Sequence, residues 1–133
     1  MELKTATATI RDTLYLTELQ SGSHLLQADE PIDNGGQDLG PGPGDFLRMS
    51  LASCTAITLR MYANRKKFDV QEIQVKVSME EADGKTIFHR EVNITGSIDE
   101  QQHKRMLQIA NACPVHKVLT NPIEVETNLI VNP

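Results

Sequence analysis

The feature that most constrains the fold is a stretch without glycine or proline, residues 45–65. Such a stretch predicts a helix of about six turns. Within it, residues 49–59 carry no charge at all. A helix with no charged face over three turns must be enclosed by other elements on most sides. We therefore expect a central helix with Cys54 in its middle.

The segment before this helix alternates or is β-branched in three short runs, residues 5–10, 14–19 and 24–26. Turn-forming residues separate the runs, which predicts a three-stranded antiparallel meander. Residues 29–44 then combine five Gly, three Pro and four acidic residues. This composition predicts an irregular loop, and a loop of this length in a small domain often serves a function.

The segment after the helix predicts a hairpin and, at the end of the chain, one more strand. Apolar residues alternate over residues 70–79 and again over 88–94. The Asp83-Gly84 pair between them is typical of a tight hairpin turn. Residues 123–131 also alternate strictly, which predicts a final strand.

A second helix is expected from Asp99 to about Ala112. Asp99 is suited to cap its N-terminus, with Gln102 reaching back to complete a capping box. Its buried stripe has helical spacing and consists of Met106, Ile109, Ala110 and Cys113. Pro114 is suited to the first position of a further short turn, with Cys113 as the residue that caps it.

These elements give the order β-β-β-α-β-β-α-β, an α+β fold of antiparallel sheet packed on two helices. The 133 residues predict a single domain, 1–133, which buries enough surface to fold without disulfides. A long, charge-free central helix needs more cover than one small sheet provides. We therefore expect a homodimer in which two chains share the helices and sheets.

Charge and hydropathy exclude several classes of partner. The 13 Lys and Arg residues are outnumbered by 18 Asp and Glu, and the net charge of −5 argues against nucleic-acid binding, which requires clustered basic residues. No stretch approaches the ~20 apolar residues of a membrane span, and the N-terminus lacks a signal-peptide pattern. The sequence predicts a cytoplasmic protein without nucleic-acid or membrane partners.

The two cysteines are the main candidates for chemistry. Along its helical face Cys54 has Ser50 and Thr58 one turn away, whose hydroxyls are able to donate to a thiolate. Cys113, at a helix N-terminus, has backbone N–H groups that favour its thiolate. Core packing is the alternative for both, because cysteine is among the most buried residue types.

Two further assignments concern metals and Asp45. No metal site is expected, because Cys113 and His116 supply only two ligands. Asp45 follows a Gly/Pro loop and is suited to cap the first helix. It is also a candidate to orient a basic group near the cysteine.

Two segments resemble the OsmC/Ohr family of osmotically inducible and organic-hydroperoxide-resistance proteins. The first is GPGP at residues 40–43, followed by LASCTAITLRMYA at 51–63. The second is IANACPVH at 109–116. Each segment contains one cysteine, and each cysteine lies in an expected helix. The order of the elements also agrees with the family, and the resemblance covers nearly the whole chain.

The resemblance implies an intertwined homodimer with active sites at the subunit interface. It also implies a cytoplasmic peroxidase of the oxidative stress response that reduces organic hydroperoxides without an organic cofactor or metal. By position, Cys54 resembles the peroxidatic cysteine, which becomes a sulfenic acid, and Cys113 the resolving cysteine, which forms the disulfide reduced by an external dithiol. Asp45 falls where the family often has Glu and is carried over as a tentative site residue.

A second function is compatible with the same resemblance. A protein of this fold is able to keep both cysteines and act without catalysis, as a redox sensor or as a binding protein for an apolar ligand. Peroxide turnover that depends on Cys54 distinguishes the enzyme from this alternative.

Overall fold

The computed structural model describes residues 3–133. The chain divides into two compact units, Met1–Met49 and Ser50–Pro133, and the boundary falls within the first α-helix. Each unit is described by itself below. The expectation of a single domain stays a prediction.

The first unit contains the predicted three-stranded meander. Its strands are β1 (Thr7–Ile10), β2 (Thr17–Ser21) and β3 (His24–Ala28). They pair antiparallel in the order β1-β2-β3. A short 3₁₀ helix, Ile32–Asn34, lies in the loop that follows.

The Asp29 carboxylate organises the Gly/Pro-rich loop of this unit. Asp29 is only 2% exposed, and it accepts backbone N–H bonds from Glu30 at 2.7 Å, Leu39 at 3.1 Å, and Tyr15 and Gln37 at 3.3 Å. Burial raises the pKa of this carboxyl, but the four N–H donors outweigh it and leave the pKa below its ordinary value. One carboxylate thus satisfies backbone donors from three stretches of chain that form no sheet with each other.

The long central helix is confirmed as α1 (Pro43–Lys66). One face of it is buried in the second unit, where its residues are Leu51, Thr55, Leu59, Tyr62 and Ala63. None of the helices in the described part of the chain combines the length and apolarity that crossing a membrane requires.

The predicted hairpin is also confirmed. Strands β4 (Asp69–Ala82) and β5 (Lys85–Ser97) pair antiparallel as a two-stranded sheet. Asp83 and Gly84 form the turn with positive φ values of 54° and 76°. Two successive positive φ values match the twist of the flanking strands, which is why Asp-Gly is favoured there.

Two helices follow the hairpin. In α2 (Glu100–Ala110), the Asp99 side chain accepts from the N–H of Gln102, and the Gln102 side chain accepts from the N–H of Asp99, so the predicted capping box is present. The helix ends two residues before the expected Ala112. The short helix α3 (Pro114–Leu119) begins as predicted, with Cys113 as N-cap.

The core of the second unit lies where α1 and α2 face the hairpin. Its buried residues are Leu59, Tyr62, Ala63, Met106 and Ala110. Partly buried apolar residues of the hairpin and the helices pack against them, namely Phe68, Val70, Ile73, Val92, Ile94 and Ile109. The alternation of the two strands and the helical stripe of α2 therefore converge on one cluster.

The fold is α+β with antiparallel strands and three α-helices, as the sequence predicts in class, but one predicted element is absent. Residues 123–131 form no strand. Their alternation suits a strand, yet a strand forms only where a neighbouring strand offers unpaired backbone groups. Among the described residues, none pairs with this segment.

The hairpin geometry generates a stability prediction at Gly96, which pairs with Val70 beside a bulge in β4. A Cβ at Gly96 would lie 2.1 Å from the carbonyl oxygen of Asp69. We expect Gly96→Ala to lower the free energy of unfolding by about 2–3 kcal/mol, because the backbone must move to admit the methyl group.

Gly84→Ala is the matched control for this prediction. A Cβ at Gly84 meets no atom within 4 Å, so only its left-handed backbone opposes the change, at a cost of about 1 kcal/mol. Urea unfolding of the two variants and the wild type measures the difference. Equal losses in the two variants would contradict the close approach at Gly96.

Candidate active site

The structure brings the two cysteines together although 58 residues lie between them in the sequence. Cys54 is half-buried near the middle of α1, and Cys113 is fully buried, with no exposed surface. The Cys54 side chain lies close enough to Cys113 to lower the pKa of the Cys113 thiol. Neither cysteine forms a disulfide, so both are present as free thiols.

Cys113 owes its position to the start of α3. Pro114 occupies the first turn, where a missing N–H costs nothing. The Cys113 sulfur then accepts the backbone N–H of His116 at 3.4 Å. This is the hydrogen bond that an N-cap side chain makes, with sulfur in the place of the usual oxygen.

Thr55, the residue after Cys54, is fully buried beside the same sulfur. Its hydroxyl oxygen lies 3.7 Å from the Cys113 sulfur and donates to the Leu51 carbonyl at 2.7 Å. Within an α-helix that carbonyl already receives the N–H of residue 55. The carbonyl keeps that N–H as a partner, so the hydroxyl proton is able to turn from the carbonyl to the sulfur when the sulfur is charged.

Arg90 on β5 connects the residues around this sulfur. Its Nη1 lies 3.1 Å from the Thr55 hydroxyl oxygen and 4.0 Å from the Cys113 sulfur. Its Nη2 lies 2.8 Å from the side-chain oxygen of Asn111 and 3.2 Å from Nδ1 of His116. Among residues 3–133, the ion pairs join other residues, and no carboxylate lies within ion-pair distance of Arg90.

His116 is held neutral in this arrangement. Burial and the neighbouring charge of Arg90 both lower the pKa of His116. Because a guanidinium only donates hydrogen bonds, Nδ1 of His116 accepts from Arg90 and the ring proton resides on Nε2. His116 therefore accepts from Arg90 through a lone pair and adds no positive charge to the site.

The environment of Cys113 stabilises its thiolate. Burial raises the pKa of the Cys113 thiol. The N–H of His116, the hydroxyl of Thr55, the side chain of Cys54 and the charge of Arg90 outweigh that effect, and the pKa lies below its ordinary value. The structure thus supplies four separate groups that favour a negative charge on this sulfur.

Asp45 makes its contacts at the start of α1. Its carboxylate accepts the backbone N–H of Gly42 at 2.8 Å and pairs with Arg48 one turn later. The backbone hydrogen bond and the arginine hold the pKa of Asp45 below its ordinary value. The prediction that Asp45 is the N-cap is wrong in position, because α1 begins at Pro43 and Asp45 lies within its first turn. From there its carboxylate stabilises the helix start by accepting the N–H of Gly42. Its assignment to the active site stays a prediction.

Sequence reasoning located both cysteines but missed Arg90 and Thr55. A signal for Arg90 was present in the pattern. Phe88, Val92 and Ile94 alternate on the inward face of β5, and Arg90 occupies the one position of that stripe that is charged. A cation on a stripe that faces a core requires a partner. Nothing local marks Thr55, because its role depends on a residue 58 positions away.

Two further candidates for a functional site are a metal-binding group and Arg11. Among the described residues 3–133, no three His, Cys, Asp or Glu side chains come together as a group able to hold a metal ion. Arg11, the one arginine before residue 48, forms an exposed ion pair with Glu18.

Comparison with solved structures gives the fold. A Psychrobacter arcticus protein provisionally assigned to the osmotic-stress and detoxification response is 24% identical, with 89% of each chain covered and a TM-score of 0.73. An OsmC-like protein from Mycoplasma pneumoniae is 18% identical, with 90% of this chain and 88% of that chain covered and a TM-score of 0.76. An organic hydroperoxide resistance protein from Legionella pneumophila is 18% identical, with 89% of each chain covered and a TM-score of 0.62.

No curated protein sequence matches the chain significantly. The family of OsmC-like proteins matches residues 35–128, well over half of the chain. This matched region includes both cysteines together with Thr55, Arg90 and His116. The residues that carried the sequence resemblance thus lie in the matched region, and the chain belongs to the OsmC-like protein family.

Proposed function

We propose that this protein is a thiol peroxidase that reduces organic hydroperoxides through Cys54 and Cys113. The observation that carries the proposal is the approach of two free thiols: the hydroxyl oxygen of Thr55, the residue after Cys54, lies 3.7 Å from the Cys113 sulfur. Membership of the OsmC-like family and a structural neighbour named for organic hydroperoxide resistance support a redox role.

The exposure of the two thiols supports a division of roles. Cys54 is half-buried, whereas Cys113 has no exposed surface. A peroxide approaching from solvent therefore meets the Cys54 sulfur first. We assign Cys54 as the peroxidatic cysteine and Cys113 as the resolving cysteine.

The reaction then has three balanced steps. The Cys54 thiolate attacks one oxygen of the peroxide, the O–O bond breaks, and a Cys54 sulfenic acid forms while the alkoxide takes a proton from solvent and leaves as the alcohol. The Cys113 thiolate attacks the sulfenic sulfur, which forms the Cys54–Cys113 disulfide, and the hydroxide that leaves takes a proton from solvent to become water. An external dithiol reduces the disulfide by thiol–disulfide exchange.

The surroundings of Cys54 favour an apolar substrate. The stretch of α1 around it carries no charge over residues 49–59. An alkyl or aryl group on the peroxide is able to bury apolar area against such a surface, whereas hydrogen peroxide has none to bury.

We further propose that the protein acts as a homodimer. On α1, Ser53, Ile57 and Met61 recur every four residues on one exposed face, and two of the three are apolar. Apolar residues of the C-terminal segment are also exposed, between 64% and 88%, namely Ile123, Val125, Leu129, Ile130 and Val131. Exposed apolar area of this extent is typical of an interface. A second copy would cover the helix and offer the C-terminal segment a strand edge.

The first prediction concerns turnover. Cys54→Ser abolishes the consumption of cumene hydroperoxide in the presence of excess dithiothreitol, because the attacking sulfur is gone. Cys113→Ser, assayed with no thiol reductant of any kind, leaves a single turnover per chain and a sulfenic acid on Cys54. Peroxide loss, and intact mass after trapping with dimedone, measure the two outcomes.

Ser78→Ala is the matched control for this experiment. Ser78 lies at an exposed position of β4, a strand that carries neither cysteine. We expect its turnover to equal that of the wild type. Equal peroxide consumption by the wild type and Cys54→Ser would refute the peroxidase and favour a sensor or an apolar-ligand-binding protein.

The second prediction concerns assembly. Light scattering coupled to size exclusion gives twice the chain mass of 14.8 kDa for the wild type. Ile57→Glu shifts the protein toward the monomer, because it places a carboxylate in an apolar contact. Gln74→Glu, which adds the same charge at an exposed position of β4, leaves the dimer intact. A monomeric wild type at micromolar concentration would rule out the homodimer.

A further inference from the structure

The two sulfurs of the site differ in access and in the charge that their surroundings accept. Cys54 is half-buried, whereas Cys113 has no exposed surface. The Cys113 sulfur lies 3.4 Å from the His116 backbone nitrogen, 3.7 Å from the Thr55 hydroxyl oxygen and 4.0 Å from Nη1 of Arg90. A buried sulfur with these donors is able to carry a negative charge, because donors replace the water that an anion loses on burial.

The charge of Arg90 leads to the same sulfur. Among the described residues 3–133, no carboxylate lies within ion-pair distance of Arg90. Its partners besides Cys113 are the Asn111 side chain, the Thr55 hydroxyl and the neutral ring of His116. A half-buried guanidinium without an anionic partner is costly. Of the groups that contact Arg90 in this part of the chain, only Cys113 is able to become an anion.

A stabilised thiolate matters most where it has to leave. In thiol–disulfide exchange one sulfur of the disulfide is attacked and the other departs as a thiolate, and the exchange is faster when that thiolate is stable. In a Cys54–Cys113 disulfide, the half-buried Cys54 sulfur is the one that an incoming thiolate reaches. The departing sulfur is then Cys113, which has the donors around it.

We propose that Cys113 is the leaving group when the disulfide is reduced: the external dithiol attacks Cys54, and Arg90 stabilises the thiolate that departs from Cys113. This inference rests on the peroxidase proposed above. It adds to the resolving role of Cys113 a role in the reductive half of the cycle. It also assigns Arg90 as a positioning residue that acts through the Cys113 sulfur.

The reduction balances in two exchanges. One thiol of the dithiol gives its proton to solvent, and its sulfur attacks Cys54. The Cys54–Cys113 bond breaks, and its electron pair departs with Cys113 as the thiolate. The second thiol of the reductant then gives its proton to solvent and attacks the reductant's own sulfur in the mixed disulfide, which releases Cys54 as a thiolate. The dithiol is oxidised to a disulfide by the two electrons that the protein gains.

Few titratable groups face Cys113. From α1 the site receives Cys54, from β5 Arg90 and from α3 His116, while Asn111 after α2 does not titrate. His116 is neutral and Arg90 remains charged, so neither changes its charge as the pH rises from neutral. The two thiols are therefore the groups that titrate in this range.

The first experiment identifies the attacked sulfur and needs no variant. Diamide oxidises the wild type to the Cys54–Cys113 disulfide without a peroxide, so the result does not depend on peroxidase activity. Brief exposure to 2-mercaptoethanol, an acid quench and peptide mapping then locate the mixed disulfide. We expect the adduct mainly on Cys54. Equal amounts on both cysteines, an excess on Cys113, or no disulfide after diamide would overturn the inference.

The second experiment measures the rate at which dithiothreitol reduces the disulfide formed with diamide. We expect Arg90→Met to slow the reduction at least about threefold, because a thiolate of higher pKa leaves more slowly. Arg90→Lys keeps the charge without the planar fork and should restore part of the rate. Lys76→Met removes the same charge from an exposed position of β4 and should be reduced at the wild-type rate.

The redox equilibrium in glutathione buffers separates charge stabilisation from a merely structural role of Arg90. Reduction leaves a thiolate on Cys113 only above the titration midpoint of that thiol. The difference between the wild type and Arg90→Met should therefore vanish below the wild-type midpoint and be complete above the midpoint of the variant. There, each unit by which the variant raises the midpoint lowers the equilibrium constant for reduction about tenfold.

The outcomes distinguish this inference from the peroxidase. A reduction rate and an equilibrium that are equal in the wild type and Arg90→Met would overturn the assignment of Arg90, and so would a difference of the same size at every pH. Both results leave the peroxidase standing. No consumption of cumene hydroperoxide by the wild type would remove the peroxidase, and the place of this step in its cycle would fall with it. The expected result is an adduct on Cys54 and a reduction that depends on the charge of Arg90.

Discussion

The placement of one arginine determines how the candidate site is built. Arg90 projects from β5 and contacts the Thr55 hydroxyl on α1, the Asn111 side chain after α2, and Cys113 and His116 at the start of α3. The three helices α1, α2 and α3 are therefore linked by hydrogen bonds to one guanidinium that β5 carries. Its planar fork presents several donors in fixed directions, which a lysine in the same place would not do.

The two sulfurs differ in their exposure to solvent and in their hydrogen-bond donors, and this difference decides which chemistry suits each of them. Cys54 retains access from solvent, while Cys113 is buried among donors. Burial alone raises a thiol's pKa and makes it inert. The donors reverse that effect for Cys113, so the residue that a composition argument would assign to core packing is suited to act as an anion. Access from solvent and stabilisation of a negative charge therefore lie on different cysteines.

The elements predicted from the sequence are those fixed by local interactions. The α1 helix, the β4-β5 hairpin with its Asp83-Gly84 turn, and the Asp99 capping box all formed as predicted. In each case the responsible contacts lie within a few residues of one another. The predicted strand over residues 123–131 did not form, because a strand requires a partner that its own sequence does not contain.

The sequence by itself therefore determined the helices and the hairpin, the family, and the position of each cysteine within its helix, since periodicity, caps and turn residues act over short distances. It also placed a cation at position 90 within an apolar stripe. Only the tertiary structure decided that Arg90, Thr55 and the His116 N–H meet at the Cys113 sulfur. Those contacts join residues 3 to 58 positions apart, and the packing of α1, β5 and α3 brings them within hydrogen-bond distance.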